Sequence, residues 1–355
     1  MGKLMMRFLC SFLGCAWTSI ASAAEYDINA MGRECTEKIG IINPFSCLDG
    51  ELIPITVNGK PIAPGDNPEK CDRPSFLLGS YESWCKPNAR VGRLPNLDAA
   101  GRPDDDVQNL FICRRYTLEE SPDNTFFEDI AIIQHRKSTG DTCFFQHEPP
   151  DGPGGKRIDT ARIPPPSEPA ADTPAGKPTA HDFWLAPADT AKIDCRACHG
   201  TGPFVRSPYI MQVKKDGVTV VYPISSDPQH NYRFVGKPFE SWNPPMYIAP
   251  ANNRCVTCHV IGTGDPAWRF SWYSAGGKTP HISEMYASYP YSHWMPSGVA
   301  VGGVPEKEWR LLYTDSVQQV IDCSDNPKML KNPPDPYPPE KSDPACNRQY
   351  FGPIE

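Results

Sequence analysis

Fourteen cysteines are spread through this 355-residue chain, and their spacing limits its possible folds more than any other feature. Cys10 and Cys15 fall in an apolar N-terminal stretch. Four more stand in two copies of one five-residue pattern, Cys195-Arg196-Ala197-Cys198-His199 and Cys255-Val256-Thr257-Cys258-His259. Eight remain: Cys35, Cys47, Cys71, Cys85, Cys113, Cys143, Cys323 and Cys346. How these eight behave depends on the compartment, which the first residues indicate. Lys3 and Arg7 form a positive start, residues 8–20 are mostly apolar, and Ala21-Ser22-Ala23 is a small-residue pattern that signal peptidase accepts. A signal peptide over residues 1–23 and a mature chain from Ala24 are therefore expected. A lipoprotein signal acylated at Cys15 is the alternative, which Phe12 fits poorly. The apolar run is shorter than the ~20 residues a membrane-spanning helix needs. No other stretch approaches that length, so no transmembrane helix is expected after cleavage.

Export to an oxidising setting turns an even set of cysteines into disulfides. Sequential pairing is expected: Cys35 with Cys47, Cys71 with Cys85, Cys113 with Cys143, and Cys323 with Cys346. Each such link adds ~2–4 kcal/mol in the chain-entropy account. The chain needs that help. Its apolar fraction of 39% lies below the usual ~45–50%, and its 41 prolines exceed average usage more than twofold, so loops should be abundant and regular helix sparse. The net charge of -7 becomes -9 once Lys3 and Arg7 leave with the signal peptide. Such a surface repels nucleic acid and anionic lipid, and favours a protein partner that offers a basic patch.

Beyond the leader, a chain this long exceeds the ~100–200 residues usual for one domain. Residues 24–147 carry strand and turn signals. Gln108 to Leu118, Phe127 to Arg136 and Thr142 to Gln146 are rich in β-branched and aromatic side chains, with a turn at Ser138-Thr139-Gly140-Asp141. Leu52 to Val57 followed by Asn58-Gly59 reads as the first arm of a hairpin. Residues 148–180 change abruptly to Pro, Gly, Ala and Ser, which cannot build a core and are expected to form an extended linker. Residues 181–355 hold both repeated motifs and end in a proline-rich strap, Asn332 to Pro344, pinned by Cys323 and Cys346.

The Cys-x-x-Cys-His spacing has a mechanical basis. Two thiols separated by two residues reach the two vinyl groups on one edge of a haem, and the next imidazole is then placed on the iron. A zinc ribbon also uses paired Cys-x-x-Cys knuckles, but it does not require a histidine after each second cysteine. Both copies here have one. Haem attachment through Cys195, Cys198, Cys255 and Cys258, with His199 and His259 on iron, is the expectation from the residues. Pro187 to Cys195 has helix-starting character, with an early proline and Asp and Thr in the first turn. Arg206, close behind the first motif, is a candidate for a haem carboxylate, and Phe204, Tyr209 and Trp294 for haem walls. His135 and His147 have no ligand spacing and read as structural. There is no Gly-rich phosphate loop and no Gly-x-Ser-x-Gly.

These motifs resemble those of exported dihaem c-type cytochromes, and the stretch from Ala186 to Asp325 is loosely similar to class I cytochrome c domains. The resemblance implies two covalent haem c groups and a Met or His from a later loop as sixth ligand of each iron. Met246 in Asn243 to Tyr247 and Met295 in His293 to Pro296 look like the proline-flanked methionine loops of that family, and His293 is a further candidate. His230, His281, Met211 and Met285 stay open. Pro305 to Cys323 would be a closing helix. The motifs lie 60 residues apart, tight for two separate haem folds, so one compact dihaem unit is expected. The architecture implied is α+β: a small disulfide-rich β domain followed by a loop-rich, mostly α cytochrome c-like dihaem domain. The activity implied is electron transfer in the periplasm or at the cell surface with a redox partner protein. The alternative is a peroxidase-like dihaem enzyme with one open iron position.

Overall fold

The computed structural model describes residues 26–63, 66, 68, 71–72, 85–116, 121–148, 157–200, 202–206, 208–223, 232–242, 246–257, 260–262, 291, 305–324 and 346–350. The leader, including Cys15, and the strap at 332–344 lie outside these residues. The centre is a six-stranded sheet of β1 (Glu51–Leu52), β2 (Arg90–Arg93), β3 (Val107–Arg114), β4 (Asp129–Arg136), β5 (Asp141–His147) and β6 (Arg233–Phe234), in that spatial order. Strands β1 to β5 run antiparallel. β6 joins parallel to β5, with Arg233 beside Asp141 and Phe234 beside Thr142. A parallel neighbour requires a long crossover, and here the crossover carries the first Cys-x-x-Cys-His motif.

Strand alternation gives the sheet two apolar faces. Phe111, Ile132 and Phe145 are aligned on one, and Leu110, Ile133 and Phe144 on the other. The first face is covered by helix α1 (Ile28–Lys38), whose Ile28, Met31 and Cys35 point into the core together with the C-terminal Ile39. Spacings of three and four residues place these side chains on one helical face. Asp27 starts the helix by accepting a hydrogen bond from Ala30 N at 2.7 Å. This segment was expected to hold only strands and turns. Its helical period is carried by few apolar residues, which explains why strand signals further along dominate the reading.

Two of the expected disulfides form, Cys71–Cys85 and Cys323–Cys346, while the other four cysteines pair as Cys35–Cys143 and Cys47–Cys113. The sheet order supplies the reason for this correction. Cys113 lies on β3 and Cys143 on β5, with β4 between them, so two strand spacings of about 4.8 Å each separate them. That exceeds the Cα reach of a disulfide, roughly 7 Å at most. Each instead links to the layer above the sheet, with Cα–Cα distances of 6.2 and 5.9 Å. The four disulfides fit an oxidising, exported setting. Among the described residues no helix is long and apolar enough to cross a membrane.

The proline-rich stretch is packed where it is described. Ile158–Asp159 pairs with Phe126–Phe127, and Pro164, Pro165 and Pro166 are buried across α1. Asn29 Nδ2 donates to Pro166 O and Glu168 O, both at 2.9 Å, and Trp184 Nε1 donates to Pro164 O at 2.8 Å. Proline has no N–H to leave unpaired, so such a segment can cross a core at low polar cost. A Cβ at Gly32 would lie 2.4 Å from Ser167 N, so α1 can approach this proline-rich stretch so closely only with glycine.

Four short helices end or follow this proline-rich stretch: α2 (Ala180–Phe183), α3 (Pro187–Ile193), α4 (Arg196–His199) and α5 (Pro208–Met211). Strand β7 (Met246–Ile248) lies between β8 (Ile261–Gly262) and β9 (Arg348–Tyr350), and the long helix α6 (Glu306–Ser324) occupies the region expected for a closing helix. The expectation of a mostly α, cytochrome c-like C-terminal domain is therefore corrected. The chain is mostly sheet and loops, it is disulfide-rich, and β6 makes part of that region an edge of the central sheet. Frequent Pro and Gly stop helices after one or two turns.

Candidate functional site

The first motif is placed by α3 and α4. Pro187 opens α3 at a position that needs no N–H donor, and Asp194 ends it in the left-handed region at φ +56°. Asp is among the residues that tolerate this conformation. Its carboxylate accepts from Arg196 Nε at 2.7 Å and Nη2 at 3.1 Å, and the Arg196 guanidinium lies 5.0 Å above the Trp242 ring. The chain then turns once. Cys198 N and His199 N both donate to Cys195 O, at 3.1 and 2.8 Å. Residues three and four apart on a helical turn are neighbours, so Cys195, Cys198 and His199 share one side.

That side lies on the sheet face opposite α1. Cys195 packs with Phe144, Tyr232 and Tyr247, and the Phe144 ring is 5.5 Å from the His199 ring. Tyr232 Oη donates to His199 O at 2.6 Å, tying the motif to the start of β6. His199 Nδ1 lies 2.9 Å from Pro203 O. A carbonyl only accepts, so Nδ1 carries the hydrogen and Nε2 keeps a lone pair. This is the outer-sphere arrangement that orients a metal-binding imidazole.

Burial decides the protonation states. It pushes the Cys195 thiol up to about 12, with Cys198 and Asp194 adding to the effect, and the Cys198 thiol up to about 11. It pulls His199 down to about 4. At neutral pH the three groups are two thiols and a neutral imidazole. Thioether formation keeps the sulfurs uncharged, whereas zinc requires thiolates, whose charge this apolar nest resists.

The second motif is fastened differently. Asn253, itself buried, accepts from Cys255 N at 2.9 Å and Val256 N at 3.3 Å, and donates to Ser316 O on α6 at 2.8 Å. Cys255 is a free thiol raised by burial and packs beside the Cys323–Cys346 disulfide. Cys258, His259, His293 and Met295 lie outside the described residues, as do His230, His281, Met285 and Trp294. Met246 opens strand β7, with its backbone beside Tyr350, rather than lying in an irregular loop. His135 Nδ1 is 2.8 Å from Thr142 Oγ1, and His147 Nδ1 donates to Phe183 O. Tyr232 and Asn253 are the positioning residues that sequence reasoning missed. An Asn two residues before Cys255 is a recognisable cap signal; Tyr232 has no local signal.

Two expected outcomes follow from these contacts. Tyr232→Phe removes one buried hydrogen bond and should lower stability by about 0.5–1.5 kcal/mol in urea unfolding; an unchanged midpoint would contradict the contact. The second concerns pH. Burial lowers both His147 and His199 below the ordinary ~6.5. The unfolded chain therefore binds their protons more tightly, so their contribution is complete above pH ~6.5 and is lost as pH falls through the folded values, about 4 for His199. The urea midpoint of the cofactor-free protein should fall across this window, less steeply in His147→Asn. Parallel profiles for the two proteins would contradict it.

No protein-family model, curated protein or solved structure matches the chain. Among the described residues no three His, Cys, Asp or Glu side chains come together as a group able to hold a metal ion. With the sheet-based fold, these findings overturn the resemblance to exported dihaem c-type cytochromes and class I haem domains. Neither that family nor its mostly helical frame is supported. The local chemistry of the motif is a separate matter.

Proposed function

We propose that Cys195, Cys198 and His199 attach a haem covalently on this sheet scaffold, and that the protein transfers electrons in the periplasm or at the cell surface. The reading extends to Cys255, Cys258 and His259 on their matching residue pattern. One observation carries it. Two buried thiols stay unpaired three residues apart, in a chain where Cys35, Cys47, Cys71, Cys85, Cys113, Cys143, Cys323 and Cys346 are all crosslinked, beside an imidazole whose Nδ1–H is held by Pro203 O.

The surrounding residues fit the group. Arg206, in the same loop as Pro203, has a buried Nε with no hydrogen-bond partner, and burial lowers its pKa. A guanidinium in that state suits a carboxylate, so Arg206 would hold a haem propionate. Phe144, Tyr232 and Trp242 exclude water from the motif, and Pro203 O fixes the imidazole orientation. The group would supply one-electron cycling of iron, with its potential set by burial and hydrogen bonding. Met246, Met295 and His293 would be the candidates for a further iron ligand. A net charge of -7 favours a basic docking partner.

The test is extraction. Protein made in cells that form haem thioethers should stay coloured after acidified acetone, which strips non-covalent haem. A colourless protein would sink the proposal.

A further inference from the structure

Asn58 and Gly59 form the exposed tip of the hairpin between Thr56–Val57 and Lys60–Pro61, with φ of +52° and +74°. Such a two-residue turn favours Asn-Gly. Glycine is doubly required here, because a Cβ at residue 59 would also lie 2.9 Å from the Tyr291 ring. The fold therefore retains a chemically labile dipeptide. An unhindered glycine nitrogen can attack the preceding asparagine carboxamide.

The attacking nitrogen is held. The Asp72 carboxylate accepts from Gly59 N at 2.8 Å, Asn58 N at 2.9 Å and Thr56 Oγ1 at 2.7 Å. Asp72 is itself fixed, since its N–H donates to Thr56 O at 2.9 Å and its neighbour Cys71 is crosslinked to Cys85.

We propose that Asn58 is a latent deamidation site kept dormant by Asp72. In the reaction, Gly59 N gives its proton to water or hydroxide and bonds to Asn58 Cγ. The bond from Cγ to the side-chain nitrogen breaks and ammonia leaves. Water then opens the resulting succinimide at either carbonyl, giving Asp or isoaspartate, with no change of oxidation state. A carboxylate is far too weak a base to remove an amide proton, so the Asp72 contact restrains the nucleophile. Either product would place a second negative charge beside Asp72, and isoaspartate would also add a backbone methylene where the tip meets Tyr291.

The experiment follows the Asn58 peptide of the intact protein at mildly alkaline pH by mass spectrometry with chromatographic separation of isoaspartate. Asp72→Ala should deamidate about tenfold faster or more than wild type, the equivalent of one hydrogen bond to a charged group. Thr56→Val loosens the same hairpin but leaves both N–H groups held, and should match wild type. Equal acceleration in both variants, or none in Asp72→Ala, would overturn the proposal. If Asp72→Ala does not fold, the wild type is compared with a linear peptide spanning residues 54–62. Equal rates in that comparison overturn it as well.

Discussion

Replacing Cys35 and Cys143 together by serine should lower stability by about 4 kcal/mol. The bridge spans 108 residues, but the Cys47–Cys113 bridge already closes 66 of them, so the loop it adds is the difference, 42 residues. The chain-entropy relation for a loop of that size gives the figure above. Domains of this kind have roughly 5–15 kcal/mol in total, so the variant would lose a large share. Because the bridge also fastens α1 to β5, the unfolded chain expands and the urea m-value should rise with the loss of midpoint. A double variant within about 1 kcal/mol of wild type would contradict the role given to this crosslink.

The second large effect is chemical. On the proposed haem attachment, Cys195→Ser with Cys198→Ser removes the two sulfurs that would form thioethers at the first motif, and should abolish cofactor attachment there while leaving attachment at the second motif. Denatured protein would then carry half the covalent haem of wild type. His199→Ala is expected to act differently: both sulfurs remain, so attachment persists, but the iron loses its imidazole and its absorption shifts to a high-spin form. Unchanged haem content in the double serine variant would contradict the assignment of the site.

How much of this was legible in the sequence depended on the range of the interactions. Residues 107–114, 129–136 and 141–147 are strands because each is dense in β-branched and aromatic side chains, a local property that a window can detect. The turn at 138–141 and the hairpin at 56–61 are equally local. α3 was readable from Pro187 at its first position. The disulfide pairing was not, because whether Cys113 can reach Cys143 depends on β4 lying between them, which is a matter of sheet order. The proline-rich stretch misled for a related reason. Composition shows that Pro164 to Pro166 cannot form regular structure, yet burial needs only that the polar groups be paired: proline brings no N–H, and Pro164 O and Pro166 O accept from Trp184 and Asn29.

The site divides in the same way. Cys195, Cys198 and His199 are visible by spacing, and one helical turn brings them together. What gives the turn its chemistry is remote: Tyr232 from the edge of the sheet, Phe144 from β5, and the burial that keeps the thiols neutral. Pro203 lies close in sequence, but its role depends on the loop path that returns its carbonyl to His199. The family resemblance failed where it went beyond the motif, since five residues specify a local geometry and leave the surrounding fold open.

The central claim is that the Cys195–Cys198 thiols are occupied covalently in the protein as the cell makes it. Intact-mass measurement under denaturing conditions, combined with thiol alkylation before digestion, tests it most directly. The account predicts a polypeptide heavier by one haem for each motif, with Cys195 and Cys198 inaccessible to alkylation after unfolding. A polypeptide at its bare mass, with both thiols alkylated, would contradict it.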